Sequence, residues 1–166
     1  MKIRVRPPNT QDLDEKRIPI DFVAVMKYFN ESLTNNSLPW IPRKTPITTK
    51  EIENEWIPSL KRNIVVLAES QGNIIGSATI FYDPKSTAYE HANHRRVGEM
   101  ASTIDPSYTL KQQIEIQEAL VKGCIEELKA KEKAAFLRVA KESPMAIADH
   151  YKEAGLSGIV FEYELP

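Results

Sequence analysis

Two places in this chain invite a metal or nucleophile reading: Glu90, His91 and His94 form one cluster, and Cys124 stands alone. The Glu90-His91-His94 spacing would bring ligands together only on a helix face. The sequence from Asp83 to Arg95 is polar and irregular, so the cluster reads as a solvated loop and no metal site is expected. Cys124 is the single cysteine, which excludes an intrachain disulfide or a cysteine metal cluster and favours a reducing compartment. It falls on the apolar arc of a long helix and reads as a core thiol rather than a nucleophile. The alternating charges of Lys129 to Lys133 read as a solvated helix end.

The elements that position these residues follow from periodicity. Lys2 to Arg6 alternates at period two and predicts a strand that Pro7-Pro8 stops. Residues 9 to 20 form a loop. Phe22, Val25, Met26, Phe29 and Leu33 then fall at helical spacing, with Asp21 as the expected cap. Residues 34 to 47 make a long connection. Thr48-Thr49-Lys50-Glu51 fits a capping box for a second helix carrying Ile52, Trp56 and Leu60, which Pro58 should kink or end early. Residues 63 to 82 read as a hairpin around Ser70-Gln71-Gly72-Asn73, and Val97 to Ile104 as a further strand. Ile116, Leu120, Val121, Cys124, Ile125 and Leu128 mark the buried arc of a long helix ending near Lys131. Ala135 to Val139 is a strand, Ser143-Pro144 opens a helix through Lys152, and Ile159 to Leu165 is the last strand. This order predicts one mixed α/β domain over residues 1–166, with about six strands and helices on both faces of the sheet.

Composition narrows the function classes. The chain has 166 residues, 42% hydrophobic and 27% charged, with a net charge of −1. Such a balance gives no reason to expect a nucleic-acid or membrane-surface partner. No apolar run is long enough for a membrane span, and the first residues lack the apolar core of a secretory signal, so a cytoplasmic protein is expected.

Several segments, in this order, resemble the GNAT superfamily of N-acetyltransferases. Arg4-Val5-Arg6-Pro7 with Asp12 looks like its opening strand and loop. Glu69 to Gly76 looks like its E-x-x-G-x-x-x-G hairpin, and Glu99 to Tyr108 is similar to the strand before its coenzyme loop. Val139-Ala140-Lys141-Glu142-Ser143 resembles V-x-x-x-N with Ser143 replacing Asn, and Tyr151 to Leu156 resembles Y-x-x-x-G-F. The resemblance implies a central mixed, mostly antiparallel twisted sheet. The signature between these segments departs from the family. Anchored on Leu120, Gln112 matches its first position, but Glu115 and Gln117 replace the small residues whose backbone approaches a pyrophosphate. A carboxylate at about 4 Å would oppose a pyrophosphate by roughly 4 kcal/mol at an effective dielectric near 20. Glu115 also reads simply as an acidic residue favoured by the helix dipole.

The resemblance implies direct transfer of an acyl group from acetyl-CoA, as co-substrate, to the amine of a small molecule or peptide, with no metal. It implies Glu99 as the base that deprotonates the amine, or alternatively a charged residue at a strand edge. Tyr151 would be the acid that protonates the thiolate, or a core tyrosine. His150 could take the same position, because the helix has one extra residue. Ser102, Thr103 and Ile104 would hold the pantetheine through backbone groups; Gln112, Gln113, Glu115, Gln117 and Ser143 complete the implied coenzyme contacts. Trp40 lies where this fold borders the acceptor, and either lines a pocket or packs beneath its loop. A homodimer is common for the fold. A GNAT-fold binding module that has lost coenzyme and catalysis is the alternative.

Overall fold

In the computed structural model, which describes residues 1–34, 45–81, 97–130, 136–140 and 160–164, six strands form one sheet in chain order. They are β1 (Arg4–Arg6), β2 (Ile64–Ser70), β3 (Asn73–Phe81), β4 (Val97–Ile104), β5 (Phe136–Ala140) and β6 (Val160–Glu164). Every neighbouring pair is antiparallel except β4 and β5, which run parallel. The β2–β3 hairpin closes on the two residues the sequence marks as a turn. Gln71 and Gly72 both have positive φ, 52° and 81°, the conformation that a two-residue hairpin loop requires.

Strand alternation sorts side chains to two cores. On β2, Ile64, Val66 and Ala68 meet Ile116, Leu120, Cys124 and Leu128 of helix α4 (Leu110–Ala130). Val65 and Leu67 point to the opposite face, against Phe22, Val25 and Tyr28 of helix α1 (Ile20–Thr34) and against Trp56. A register shift between Ala68 and Glu69 leaves Ile75 with no residue opposite it. This bulge puts Ile75 in the α4 core while its neighbour Ile74 joins the α1 side.

Two local expectations are corrected. Asp21 does not cap α1; it lies inside the helix, and the Phe22 and Val23 N–H groups bond to the Pro19 carbonyl instead. Its carboxylate is taken by Arg6, whose Nη1 and Nη2 donate to Asp21 at 2.6 and 2.9 Å while its Nε donates to Glu69 at 2.7 Å. This ion triad ties β1, β2 and α1 together. The buried stripe of α1 is also rotated from the expected one. Tyr28 and Ser32 are buried, while Met26, Phe29 and Leu33 are half-buried, because Tyr28 reaches a hydroxyl partner on β3 and the Ser32 hydroxyl donates to the Tyr28 carbonyl.

The second helical segment is built as expected at its start and differently at its end. Thr48 caps α2 (Thr49–Glu51) by accepting from the Glu51 N–H. Residues Ile52–Trp56 are π-helical and lead into α3 (Ile57–Ser59). The Ile57 N–H bonds back to Ile52, one residue further than in an α-helix, and Pro58 follows. Pro58 has no N–H to give the usual carbonyl and its ring needs extra room, which the wider turn supplies. The predicted helix 143–152 lies outside the described residues. The last strand is present and pairs with β5.

Candidate active site

β4 lies at the centre of the candidate site. On one side it pairs with β3 from Phe81↔Glu99 to Gly76↔Ile104. On the other, its parallel pairing with β5 runs, among the described residues, from Val97↔Phe136 to Met100↔Val139, and β4 continues through Ile104. The Asp105 N–H bonds to the Ile75 carbonyl across the β3 ladder. Antiparallel alternation therefore turns the backbone groups of Thr103 and Ala101 toward β3, and those of Ser102 and Ile104 toward the β5 side.

The strand leads into α4 through a loop whose backbone donors are spent internally. The Ser107 N–H donates to the Asp105 carboxylate and the Tyr108 N–H to the Asp105 carbonyl. Thr109 and Gln112 form a capping box. The Gln112 carboxamide oxygen accepts from the Thr109 N–H at 3.0 Å and from its hydroxyl at 2.9 Å, and the Gln112 N–H donates to the Thr109 hydroxyl oxygen at 3.4 Å. Gln113 Nε2 donates to the Tyr108 carbonyl at 2.7 Å. A phosphate bonding to the Thr109 or Gln112 N–H would have to displace those partners.

Glu115 and Gln117 do not flank the helix start, as the signature alignment implied, because α4 already begins at Leu110. Glu115 instead lies 3.5 Å from the amino-terminal ammonium group. Gln117 is fully buried beneath α4, where its Oε1 accepts from the Ser102 hydroxyl at 2.8 Å. Its Nε2 has no hydrogen-bond partner among the described residues. A buried, unpaired amide donor costs about 1–3 kcal/mol, so its place beside β4 calls for an acceptor from elsewhere.

On the α1 side of the sheet, a cavity of about 330 Å³ opens between the helices and strands β2, β3 and β4. Its walls are mostly apolar: Phe22, Phe29, Trp56, Val65, Leu67 and Phe81 contribute, with Phe22 and Trp56 edge-to-face at 5.9 Å. Ser59, Ser77, Thr79 and Thr103 supply hydroxyls, Asn63 a carboxamide, and Glu55 is the single carboxylate among the described lining residues. Behind this wall the Tyr28 hydroxyl donates to Ser77 Oγ at 2.9 Å and approaches the Thr103 carbonyl at 3.5 Å. Burial pushes the Tyr28 phenol well above its usual range, so it stays neutral and fixes the Ser77 hydroxyl.

The structure therefore brings together Ser102, Thr103, Ile104 and Gln117 around the outer half of β4, with Gln112 and Gln113 at the loop just beyond. Thr103 lines the cavity, Ile104 is buried against α4, and Ser102 bonds to Gln117. Position 99 sits in β4 in register with Phe81 and Arg138, in the same alternate row as the cavity-lining Ala101 and Thr103. Tyr151, His150, Ser143 and Trp40, with Glu90, His91 and His94, lie outside the described residues. Among the described residues no cluster of metal-ligating side chains occurs, and no helix is long and apolar enough to cross a membrane. Sequence reasoning missed Tyr28, Ser77 and Glu55. Pro58 was the available signal for Glu55, since it forces the π turn on which Glu55 and Trp56 both reach the cavity.

No family model matches the sequence, and no curated protein does. Solved structures match over its whole length. An N-acetyltransferase from Staphylococcus aureus Mu50 superposes with a TM-score of 0.65 at 18% identity, covering 100% of both chains. The chain has the GNAT fold. A putative acetyltransferase from Salmonella typhimurium, solved with acetyl-CoA, has a TM-score of 0.62 at 12% identity, covering 99% of this chain and 94% of its own. A GNAT-superfamily phosphinothricin acetyltransferase from Sinorhizobium meliloti, in complex with acetyl-CoA, has a TM-score of 0.60 at 18% identity over 95% and 77% of the two chains. The GNAT fold accounts for the mixed sheet and for helices on both of its faces, as the sequence pattern anticipates.

Proposed function

We propose that this protein transfers an acetyl group from acetyl-CoA to the amine of a small molecule or peptide. The observation that carries this reading is β4. One edge of this strand runs beyond its described pairing with β5, and one face of it walls a cavity. A thioester arm laid along that edge would meet an amine held in the cavity. Glu99 would take a proton from the ammonium; the free amine nitrogen would attack the thioester carbonyl carbon; the carbon–sulfur bond would break. Tyr151 would protonate the leaving thiolate, and the second proton shed by the acylated nitrogen would restore the phenol. Backbone N–H groups on the β5 side of β4 would steady the carbonyl oxygen as charge develops there. The residues fit the thioester arm better than the diphosphate, because Gln117 offers an unused donor while Thr109 and Gln112 occupy the helix start. The single cysteine supports a reducing, cytoplasmic setting.

That capping box also favours a second reading, a binding module that has lost the coenzyme. Thermal unfolding with and without acetyl-CoA or CoA decides between them. A native-state ligand at about 100 times its Kd adds roughly 2.7 kcal/mol, or about 5–10 °C for a chain of this size. A shift of that order supports the transferase, with Glu99→Gln and Tyr151→Phe expected to lower kcat. No shift at millimolar coenzyme sinks it.

A further inference from the structure

The α1-side cavity carries the chemistry of a particular ligand class. At about 330 Å³ it falls at the small end of the range for small-molecule sites, roughly 300–1,000 Å³. Its wall is mostly aromatic and aliphatic, with Ser59, Asn63, Ser77, Thr79 and Thr103 as scattered polar points. Phe22 and Trp56 form a pair against which a flat or branched apolar body can pack. Among the described lining residues one is charged: Glu55, exposed at the margin, with no ionic partner among the described residues. It sits on the π-helical turn, and such turns occur frequently where a helix has been adapted to a function. No hydroxyl lining the cavity can neutralise a cation, so Glu55 is the counter-charge it offers.

We propose that the cavity binds a primary monoamine with an aryl or branched aliphatic body, its ammonium held by Glu55 and its body against Phe22 and Trp56. This deepens the transferase reading and rests on it for the ligand's role as acceptor. Binding itself requires no coenzyme. A polyamine does not suit these walls, because its second ammonium would meet no second carboxylate among the described lining residues.

The test measures binding without coenzyme, by calorimetry, using 2-phenylethylamine, 2-phenylethanol and spermidine as probes. The wild type is expected to bind the phenyl amine more tightly than either other compound. Glu55→Gln should weaken the amine by about threefold or more and leave the alcohol unchanged, as for loss of a partly solvated ion pair. Raising the salt concentration should weaken the amine alone. Ala101→Leu, which fills the cavity from β4, should weaken both phenyl compounds. Equal affinity for amine and alcohol, or no effect of Glu55→Gln, overturns the proposal. Spermidine binding best also overturns it. If the amine binds as described but is not acetylated in the presence of acetyl-CoA, the site stands and the transferase reading falls.

Discussion

Replacing Arg6 by Met removes the guanidinium from the triad with Asp21 and Glu69 while keeping a long apolar stem. The Arg6 and Asp21 side chains are 21% and 10% exposed, so the pair lies between a surface bridge and a buried one. Surface pairs contribute about 0.2–1 kcal/mol and breaking a buried one costs about 3–5, so Arg6→Met should destabilise by roughly 2–3 kcal/mol at pH 7. The Tm would fall by roughly 4–12 °C. The pH dependence follows from Asp21. Burial pushes its carboxyl up, but the Arg6 guanidinium and then the Asn9 N–H outweigh burial and hold it below its ordinary value of 3.8. In the wild type, this carboxylate contributes stability that is present above pH 3.8 and is lost as pH falls through its lowered folded value. In the variant, burial acts with only the Asn9 N–H against it, so the carboxyl rises and protonation relieves the variant as pH falls. The gap between the two proteins should therefore narrow on acidification. Urea unfolding at pH 7 and pH 3 measures it, and carboxyl carbon NMR follows Asp21. A gap below 1 kcal/mol at pH 7, or one independent of pH, would refute the reasoning.

Other outcomes follow from packing and burial. An added Cβ at Gly123 would collide with Val5 Cγ1 and lie 3.1 Å from Val5 Cβ. Gly123→Ala should therefore destabilise by about 0.5–2 kcal/mol despite roughly 1 kcal/mol of helix propensity; in a Val5→Ala background it should stabilise, and urea titrations of the four proteins test this. Gln117→Leu removes the unpaired donor and should raise the stability of the free protein by about 1 kcal/mol while weakening any coenzyme binding. A loss of stability would mean that the bond from Ser102 matters more than the unpaired amide. Cys124 is fully buried and its thiol is pushed well above the usual range, chiefly by burial, so it should resist aromatic disulfide reagents until urea unfolds the chain. Thr109→Ala should cost about 0.5–2 kcal/mol through loss of the helix cap, read as a drop in the urea midpoint.

The legible part of this protein was the part written in local periodicity. The short apolar run of residues 63–69, the strand over 97–104 and the apolar arc of Ile116 to Leu128 set strands and helix in the right order, because burying apolar side chains is the main way the chain stabilises itself. The Gln71-Gly72 turn was legible for a similar reason, since few residues tolerate positive φ. The coenzyme-side assignment was less so. Alignment on Leu120 gave Gln117 a place beside a phosphate, but the start of α4 at Leu110 put it under the helix, bonded to Ser102. Where a helix begins depends on which cap closes it, and Thr109 with Gln112 closes this one early.

The sequence by itself determined the order of elements, the cores on the two sides of the sheet and the turn of the hairpin, since each depends on residues near one another in the chain. Only the tertiary structure decided that Asp21 pairs with Arg6 rather than capping its helix, that Tyr28 is buried against Ser77, and that Glu55 stands beside an apolar cavity. Each of those depends on a partner up to 49 residues away, or on several elements meeting, and no local pattern encodes such distances.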